Sequence, residues 1–243
     1  MFSFSQLRKW MAPLVFTPLH PQWLVLRDRP QARHSVATHA QGRVLDIGCG
    51  DRWAETALGP GCTYLGLDYP STVDLGYAGA PDVFGDGLRL PFSDQCFDTV
   101  LLMDVLEHLR DAPAAMNEAV RVLRPGGALI LQVPFLYPLH DEPYDFQRWT
   151  SHGLSRVMQA HGIELREITH HGNPAETAAA LTAIALAKGV IDAASARHPS
   201  LLLAPVLVLA IPVLNLAGWL LGRLLPNSTL IPLGYRVIGV RAP

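Results

Sequence analysis

The sequence predicts an α/β fold with a doubly wound, mostly parallel sheet. A short apolar strand at residues 44–47 runs into a glycine-punctuated turn, and a second one at residues 64–67 is followed directly by an acid. Two further apolar strands, at residues 97–102 and 128–133, have a helix between them that begins with a proline. Glycines and acids after such strands indicate a nucleotide-like ligand at the carboxyl ends of parallel strands.

The turn after the first strand contains Gly48 and Gly50, which let the backbone bend sharply and approach a ligand closely. Asp68 follows the second strand and suits a bidentate grip on two ribose hydroxyls. Dinucleotide enzymes and methyltransferases both have an acid at this position that binds the ribose hydroxyls. A dinucleotide fingerprint requires a further glycine where Trp53 stands, and Asp51 would put negative charge where a pyrophosphate lies. Both features count against NAD and FAD.

Three later motifs follow in order: Asp86 within residues 85–88, the run at residues 106–109, and Gly126-Gly127 before the strand at 128–133. With them, residues 40–170 resemble the class I S-adenosylmethionine-dependent methyltransferases of the small-molecule, type 11-like kind. The resemblance implies a Rossmann-like sheet of seven strands whose last strand is antiparallel. It also implies S-adenosyl-L-methionine as the cofactor.

The resemblance further implies a set of cofactor-binding residues: Asp46, Gly48, Gly50, Asp68, Asp86 and Leu88. By this comparison Asp46 and Gly48 line the methionine portion, and Asp68 binds the ribose hydroxyls. Asp86 reaches the adenine amino group, and Leu88 forms part of the adenine pocket. Each acid also has a simpler interpretation as a turn cap or an ordinary loop acid. The missing third glycine leaves the path of the cofactor loop open.

The composition fits one cytoplasmic domain with an appendage. The 19 Lys and Arg are balanced by 21 Asp and Glu, so no basic surface indicates nucleic acid as a partner. The three cysteines form neither a disulfide framework nor a zinc pattern, which fits a reducing compartment. The N-terminus lacks the layout of a signal peptide.

A hydrophobic insert precedes the final strand. Residues 201–222 contain no charged side chain and are long enough to span a bilayer, and residues 175–187 form an Ala/Leu-rich helix candidate. The final strand, at residues 234–240, belongs beside the one at 163–169, so both flanks of the insert lie in one sheet. The insert must therefore cross a membrane an even number of times, dip into it, or lie on its surface.

Pro205 and Pro212 favour a bent or shallow element for this insert, with membrane contact through residues 201–222 on the cytoplasmic face. The alternative is a buried lid or an interface between subunits. Apolar residues at helical spacing in 2–26 predict either an interfacial helix or a cap over the cofactor. The predicted domains are a helical cap at 1–40, a catalytic domain at 41–174 with 227–243, and the insert at 175–226.

The loop at residues 134–149 concentrates ionisable and aromatic side chains after a strand end, where catalytic groups of open sheets lie. We expect His140 to act as general base, because its intrinsic pKa suits proton removal near neutrality. Asp145 is expected to orient it, and Arg148 to grip an anionic group or to pair with Asp145. A surface histidine and a loop-stabilising ion pair are the simpler alternatives.

No metal site is expected. His140, Asp141, Glu142 and Asp145 could hold a divalent ion, but adjacent residues rarely point at one centre. Glu107 and His108 follow the fourth strand and could border the methyl-transfer site, or serve a structural role there.

The sequence therefore predicts methyl transfer to a hydroxyl of a small or lipid-linked acceptor, such as a glycan or a prenyl-type lipid. The alternatives are a catalytically inactive, membrane-tethered cofactor-binding scaffold and a nicotinamide-dependent oxidoreductase. Asp51 and Trp53 disfavour the second of these.

Overall fold

The computed structural model describes residues 12–75 and 79–243. The chain forms two compact units. One comprises residues 30–135, 139–170 and 234–243, and the other comprises residues up to 29, 136–138 and 171–233. The predicted apolar spacing between Phe2 and Met11 lies outside the described residues.

The first unit is built on a seven-stranded sheet. Its strands are β1 (Arg43–Ile47), β2 (Thr63–Asp68), β3 (Val83–Phe84), β4 (Phe97–Met103), β5 (Leu123–Pro134), β6 (Ile163–His171) and β7 (Gly234–Arg241). Their order across the sheet is β3-β2-β1-β4-β5-β7-β6. The first five pair in parallel, and β7 is antiparallel to β5. The predicted sheet, including the antiparallel last strand between β5 and β6, is confirmed.

Helices cover both faces of this sheet, which is why its central strands are apolar throughout. On one face Leu45, Leu102 and Leu129 pack into a core that includes residues of α3 (Ala112–Val122) and α4 (Ser151–Ala160). On the other face the core includes side chains of α2 (Arg29–His39). The side chain of Asp111 caps α3 by accepting from the Ala114 N–H at 3.0 Å. This packing fixes the strand ends from which the functional loops project.

The second unit contains two long helices, α5 (Pro174–Ser195) and α6 (Ala204–Leu224), joined through a 3-10 segment, Pro199–Leu203. They pack closely at Gly218, where a Cβ atom would lie 2.4 Å from the Cβ of Ala179. Two helical stretches are long and apolar enough to cross a membrane: Pro174–Ser195, with a mean hydropathy of 1.4, and Pro199–Leu224, with a mean hydropathy of 2.3. The predicted helical insert is confirmed.

The described part of the N-terminal segment contains a 3-10 turn, Ala12–Leu14, and one turn of helix, α1 (Trp23–Leu26). Residues 12–26 therefore do not form one continuous helix. Pro13, Pro18 and Pro21 explain the interruption, because proline lacks the N–H that a helix interior needs. The domain boundaries given above stay predictions.

Candidate active site

The turn after β1 is shaped by close backbone contacts. Gly48 has a φ of +71° and Gly50 a φ of +49°, both in the left-handed region. A Cβ at position 48 would lie 2.5 Å from the Val105 side chain, so the turn packs against the loop after β4. The Gly48 and Cys49 N–H groups donate to the Leu67 carbonyl at 2.8 and 3.1 Å. The ends of β1, β2 and β4 are thereby held together.

Asp68 lies at the end of β2 and is almost fully buried. Its Oδ2 accepts from the Gly50 N–H at 2.8 Å, and its Oδ1 accepts from the Tyr69 N–H and the Thr72 hydroxyl, both at 2.7 Å. These donors fix the carboxylate at the edge of the glycine turn. Its role at the ribose hydroxyls stays a prediction.

A pocket opens beside Asp68. It is lined by Gly50, Asp68, Tyr69, Thr72, Gly79, Pro81 and Phe84. Tyr69 and Phe84 are 55% and 56% exposed, so the pocket offers two aromatic side chains beside a fixed carboxylate. An aromatic base on a ribose fits this combination, because the rings supply apolar contact and the carboxylate accepts from hydroxyls. Neither aromatic residue was predicted from the sequence, although Tyr69 directly follows β2 and Phe84 ends β3.

Asp46 is buried on β1 and accepts a hydrogen bond from the Tyr64 hydroxyl at 2.7 Å. Burial raises the pKa of this carboxyl to about 7, and the nearby Asp68 charge acts in the same direction. Burial also raises the pKa of the Cys49 thiol to about 12, which removes it as a nucleophile.

Asp86 and Leu88 lie in the turn after β3. Asp86 Oδ1 accepts from the Leu88 N–H at 2.9 Å, so the carboxylate stabilises its own turn. Leu88 is partly buried and packs against the main core. Their roles at adenine stay predictions.

The loop after β5 holds its three predicted residues together. His140 Nδ1 lies 3.2 Å from Asp145 Oδ2, and Arg148 makes a bidentate ion pair with the same carboxylate. Burial opposes ionisation of Asp145, but the bonds from Arg148 and from the His140 N–H outweigh it and hold its pKa at about 2. Of the two roles considered for Arg148, the structure shows the pairing with Asp145. The Asp145 carboxylate lies against the His140 ring, and its role in orienting that ring stays a prediction.

Glu107 and His108, on the short 3-10 turn after β4, face His140. The Nε2 atoms of His108 and His140 each lie 3.8 Å from Glu107 Oε1, and the two imidazole rings are in edge contact with centroids 4.6 Å apart. Glu107 is 0% exposed, and neither of its carboxylate oxygens has a hydrogen-bond partner among the described residues. Burial raises its pKa to about 7. Burial and the neighbouring His140 charge lower the pKa of His108.

Backbone and amide contacts bring these two loops together. Gln147 Nε2 donates to the carbonyls of Leu106 and Leu109 at 3.0 and 3.1 Å, and the Phe146 N–H donates to the Glu107 carbonyl at 3.0 Å. From the sequence, Glu107 and His108 were expected only to border the methyl-transfer site, and no role was predicted for Gln147. The adjacent Glu107 and His108 in the turn after β4 were the feature of the sequence that could have identified Glu107 as a site residue.

A second polar connection supports the end of β4. Asp104 Oδ2 accepts from Gln132 Nε2 at 2.8 Å, and Gln132 Oε1 accepts from buried Arg236 on β7. Asp104 and Asp141 have φ values of +57° and +48°, which is uncommon outside glycine and occurs here on both loops of the cluster.

Several of the proteins to which this chain is similar are methyltransferases. Residues 45–131 match the family model described as a methyltransferase domain. An uncharacterized methyltransferase of Mycobacterium tuberculosis (strain ATCC 25177 / H37Ra) is 30% identical over 168 residues, which cover 64% of this chain and 63% of that protein. A probable S-adenosylmethionine-dependent methyltransferase of Mycolicibacterium smegmatis is 31% identical, covering 56% and 59%. A demethylmenaquinone methyltransferase of Mycolicibacterium vanbaalenii is 34% identical, covering 42% and 46%. The chain thus spans less than two thirds of the length of these relatives.

Two solved structures support the fold. A Haloferax volcanii complex between the Trm112 methyltransferase activator and a putative methyltransferase matches with a TM-score of 0.50 and 26% identity, covering 60% of this chain and 73% of that one. The [4+2]-cyclase SpnF matches with a TM-score of 0.55 and 17% identity, covering 98% and 94%. The second likeness concerns the fold alone.

Proposed function

We infer that this chain, a member of the class I S-adenosylmethionine-dependent methyltransferases, transfers a methyl group to a hydroxyl of a small or lipid-linked acceptor. Membership of the family implies S-adenosyl-L-methionine as the cofactor, which supplies an electrophilic methyl group on a sulfonium. The observation that carries the proposal is the cluster of Glu107, His108 and His140 on two facing loops, of which the loop after β4 packs against the glycine turn.

The donor end of the site rests on Asp68 and the aromatic pocket. The Asp68 carboxylate, fixed by the Gly50 N–H, is positioned to accept from two ribose hydroxyls. Tyr69 and Phe84 would enclose the base. Binding at this edge of the sheet holds a ligand in one orientation, which is the main requirement of an in-line displacement.

The acceptor end uses the two facing loops. A hydroxyl acceptor must lose its proton, and the half-buried His108 and His140 rings with Glu107 supply the polar groups for that step. Asp145 positions His140, and Arg148 neutralises Asp145. The role of His140 as general base stays a prediction.

The lipid-linked acceptor and the membrane contact are proposed from the second unit. Large apolar side chains of α6 and of the 3-10 segment before it are exposed, among them Leu202 at 87%, Leu209 at 70% and Val213 at 65%. Exposing so many apolar side chains to water on neighbouring turns costs free energy. Burying the same side chains in a bilayer surface removes that cost. One partial relative is a demethylmenaquinone methyltransferase by name. Together these observations favour a peripheral position on the cytoplasmic face of a membrane.

Calorimetric titration with S-adenosyl-L-methionine and S-adenosylhomocysteine tests the cofactor. We expect saturable binding by the wild-type chain and none by Asp68→Ala, because two hydroxyl bonds to a charged group are lost. Glu164→Ala is the matched control, since Glu164 lies on β6 and pairs only at the surface with Arg166. Retained affinity in Asp68→Ala would reject the assignment. Thermal shift against NAD and NADP tests the oxidoreductase alternative.

Acceptor screening with methyl-labelled cofactor separates an enzyme from a scaffold. With lipid-linked acceptors, we expect the labelled methyl group to appear in a product that partitions into the organic phase. Reactions without the protein should give no labelled product. Cofactor binding without label in any hydroxyl acceptor would support the inactive scaffold. Flotation with anionic vesicles tests the membrane contact: Leu209→Asp should weaken it, and His152→Asp on the exposed side of α4 serves as a control.

A further inference from the structure

We propose that Glu107, His108 and His140 form a binding site for a divalent transition-metal ion. Three potential ligand atoms converge here, one from each side chain, and all lie within 4.8 Å of one another. Glu107 and His108 lie on the loop after β4, and His140 lies on the loop after β5. The inference concerns a bound ion that neither the family nor the relatives assign.

The second nitrogen of each imidazole supports this proposal. His140 Nδ1 lies 3.2 Å from the Asp145 carboxylate, and His108 Nδ1 lies 3.1 Å from the Tyr144 carbonyl. When each Nδ1 carries the proton for these acceptors, each Nε2 presents its lone pair toward Glu107. Metal-binding histidines show this arrangement, in which a carboxylate or a carbonyl fixes the ring through its other nitrogen.

Glu107 provides an independent observation. Its side chain is fully buried, and both carboxylate oxygens lack a hydrogen-bond partner among the described residues. An uncompensated buried carboxylate destabilises a folded protein, whereas a bound cation compensates both its charge and its lone pairs.

The donor set selects the class of ion. Two imidazole nitrogens and one carboxylate favour zinc, iron, nickel or copper over calcium or magnesium. Ligand bonds of about 2.0–2.1 Å place tetrahedral ligand atoms about 3.3 Å apart. The observed 3.8 Å between Glu107 Oε1 and each Nε2 must close slightly, and the ligand atoms, which all lie within 4.8 Å of one another, require the two imidazole rings to approach further. Because His108 and His140 are partly exposed, further coordination positions face solvent.

The chemical consequence rests on the proposed function, although ion binding itself does not. An acceptor hydroxyl bound to the ion ionises more readily, and its proton passes to solvent. The acceptor oxygen then forms its bond to the methyl carbon while the carbon–sulfur bond breaks, and the electron pair of that bond goes to sulfur. In this arrangement His140 is a metal ligand and not the general base. The bound ion, by lowering the pKa of the acceptor hydroxyl, takes over that role.

The test uses the full chain after removal of metals by EDTA. Calorimetry with Zn²⁺ should give one saturable site, and Co²⁺ should give visible absorption bands of a nitrogen- and oxygen-ligated ion. Glu107→Gln and His140→Ala should each weaken Zn²⁺ binding at least about 10-fold, and Asp145→Asn by about 10- to 100-fold through the His140 ring. His152→Ala, on the exposed side of α4, should bind as the wild type does.

Circular dichroism verifies that each variant is folded, and His108→Gln replaces Glu107→Gln if the latter fails to fold. Absence of a saturable site, or equal binding in His140→Ala and His152→Ala, would overturn the proposal. Cofactor binding is measured on the same samples. Loss of the ion with cofactor binding retained would reject the metal site alone, whereas an intact metal site without cofactor binding would reject only the proposed function.

Discussion

Two buried carboxylates, each placed after a strand of the same sheet, differ in how they are satisfied. Asp68 receives three hydrogen bonds, from the Gly50 and Tyr69 N–H groups and the Thr72 hydroxyl. Glu107 receives none from the described residues and faces two imidazole nitrogens at 3.8 Å. The first carboxylate is already fixed for a ligand with hydroxyl donors. The second is buried at a cost that only a proton or a cation offsets.

This difference separates a binding position from a reactive one. A carboxylate fixed by several donors stays charged and rigid, which suits recognition of an uncharged sugar. A buried carboxylate without hydrogen-bond donors destabilises the ligand-free chain. Proteins retain such groups where a bound ligand supplies the missing interactions. The predictions below test this contrast between Asp68 and Glu107.

The largest effect is expected at the acceptor end. His140→Ala removes the ring that faces Glu107, and turnover should fall by about 100-fold or more, because positioned proton-transfer or ligand groups contribute on that scale. Cofactor affinity should be unchanged. Initial rates with labelled cofactor and calorimetry measure the two quantities separately. Unchanged turnover would remove His140 from the chemistry, and His152→Ala is the control.

The next effect is expected at the donor end. Asp68→Asn keeps the shape of the side chain but loses its charge, so affinity for S-adenosyl-L-methionine should fall by about 100-fold. The thermal midpoint should also fall, since three donors lose a charged acceptor. Calorimetry and melting curves check both changes. A variant that binds normally would show that the neighbouring backbone, rather than the carboxylate, holds the ribose.

Sequence alone was sufficient for most of the fold, for identifiable reasons. The apolar runs of β1, β2, β4 and β5 are long enough to identify, and the alternating pattern before the end of the chain identified β7. The two-residue β3 is too short to leave a pattern. The start of β5 at Leu123 was missed because Arg124, Pro125 and the following glycines resemble a turn.

The candidate site was only partly predictable. The residues on strand ends, Asp46 and Asp68, follow from local motifs. The convergence of Glu107 with His140 does not, because it depends on how the side chain of Gln147 and the backbone of Phe146 tie one loop to the other. Such long-range hydrogen bonds leave no periodic signal in the sequence. Tyr69 and Phe84 are likewise recognisable only when the pocket is seen.

A smaller effect of opposite sign is expected when Glu107 is made apolar. Glu107→Met has similar volume and removes two unsatisfied oxygens, so the metal-free variant should be more stable by about 1–3 kcal/mol. Chemical denaturation in EDTA measures the difference. Added Zn²⁺ should stabilise the wild-type chain and leave the variant unchanged, since only the former binds the ion. Destabilisation in EDTA would mean that the buried carboxylate is satisfied after all.

The smallest effect concerns pH and Asp46, whose folded pKa of about 7 lies above its ordinary value of 3.8 because the side chain is buried beside Asp68. The folded state holds this proton more tightly than the unfolded state. Its contribution to stability is therefore fully present below pH 3.8 and is lost as pH rises through about 7. Asp46→Asn keeps an acceptor for the Tyr64 hydroxyl and cannot ionise.

From pH 5 to pH 8 the wild-type chain should therefore lose at least about 1 kcal/mol of unfolding free energy relative to Asp46→Asn. Denaturation series without cofactor at several pH values measure this difference. Parallel curves for the two proteins would mean that Arg52, which stacks on the Tyr64 ring at 4.8 Å, keeps Asp46 charged near neutrality. Asp46 would then resemble Asp68, a carboxylate already compensated, and Glu107 would remain the one buried acid of the three that awaits a partner.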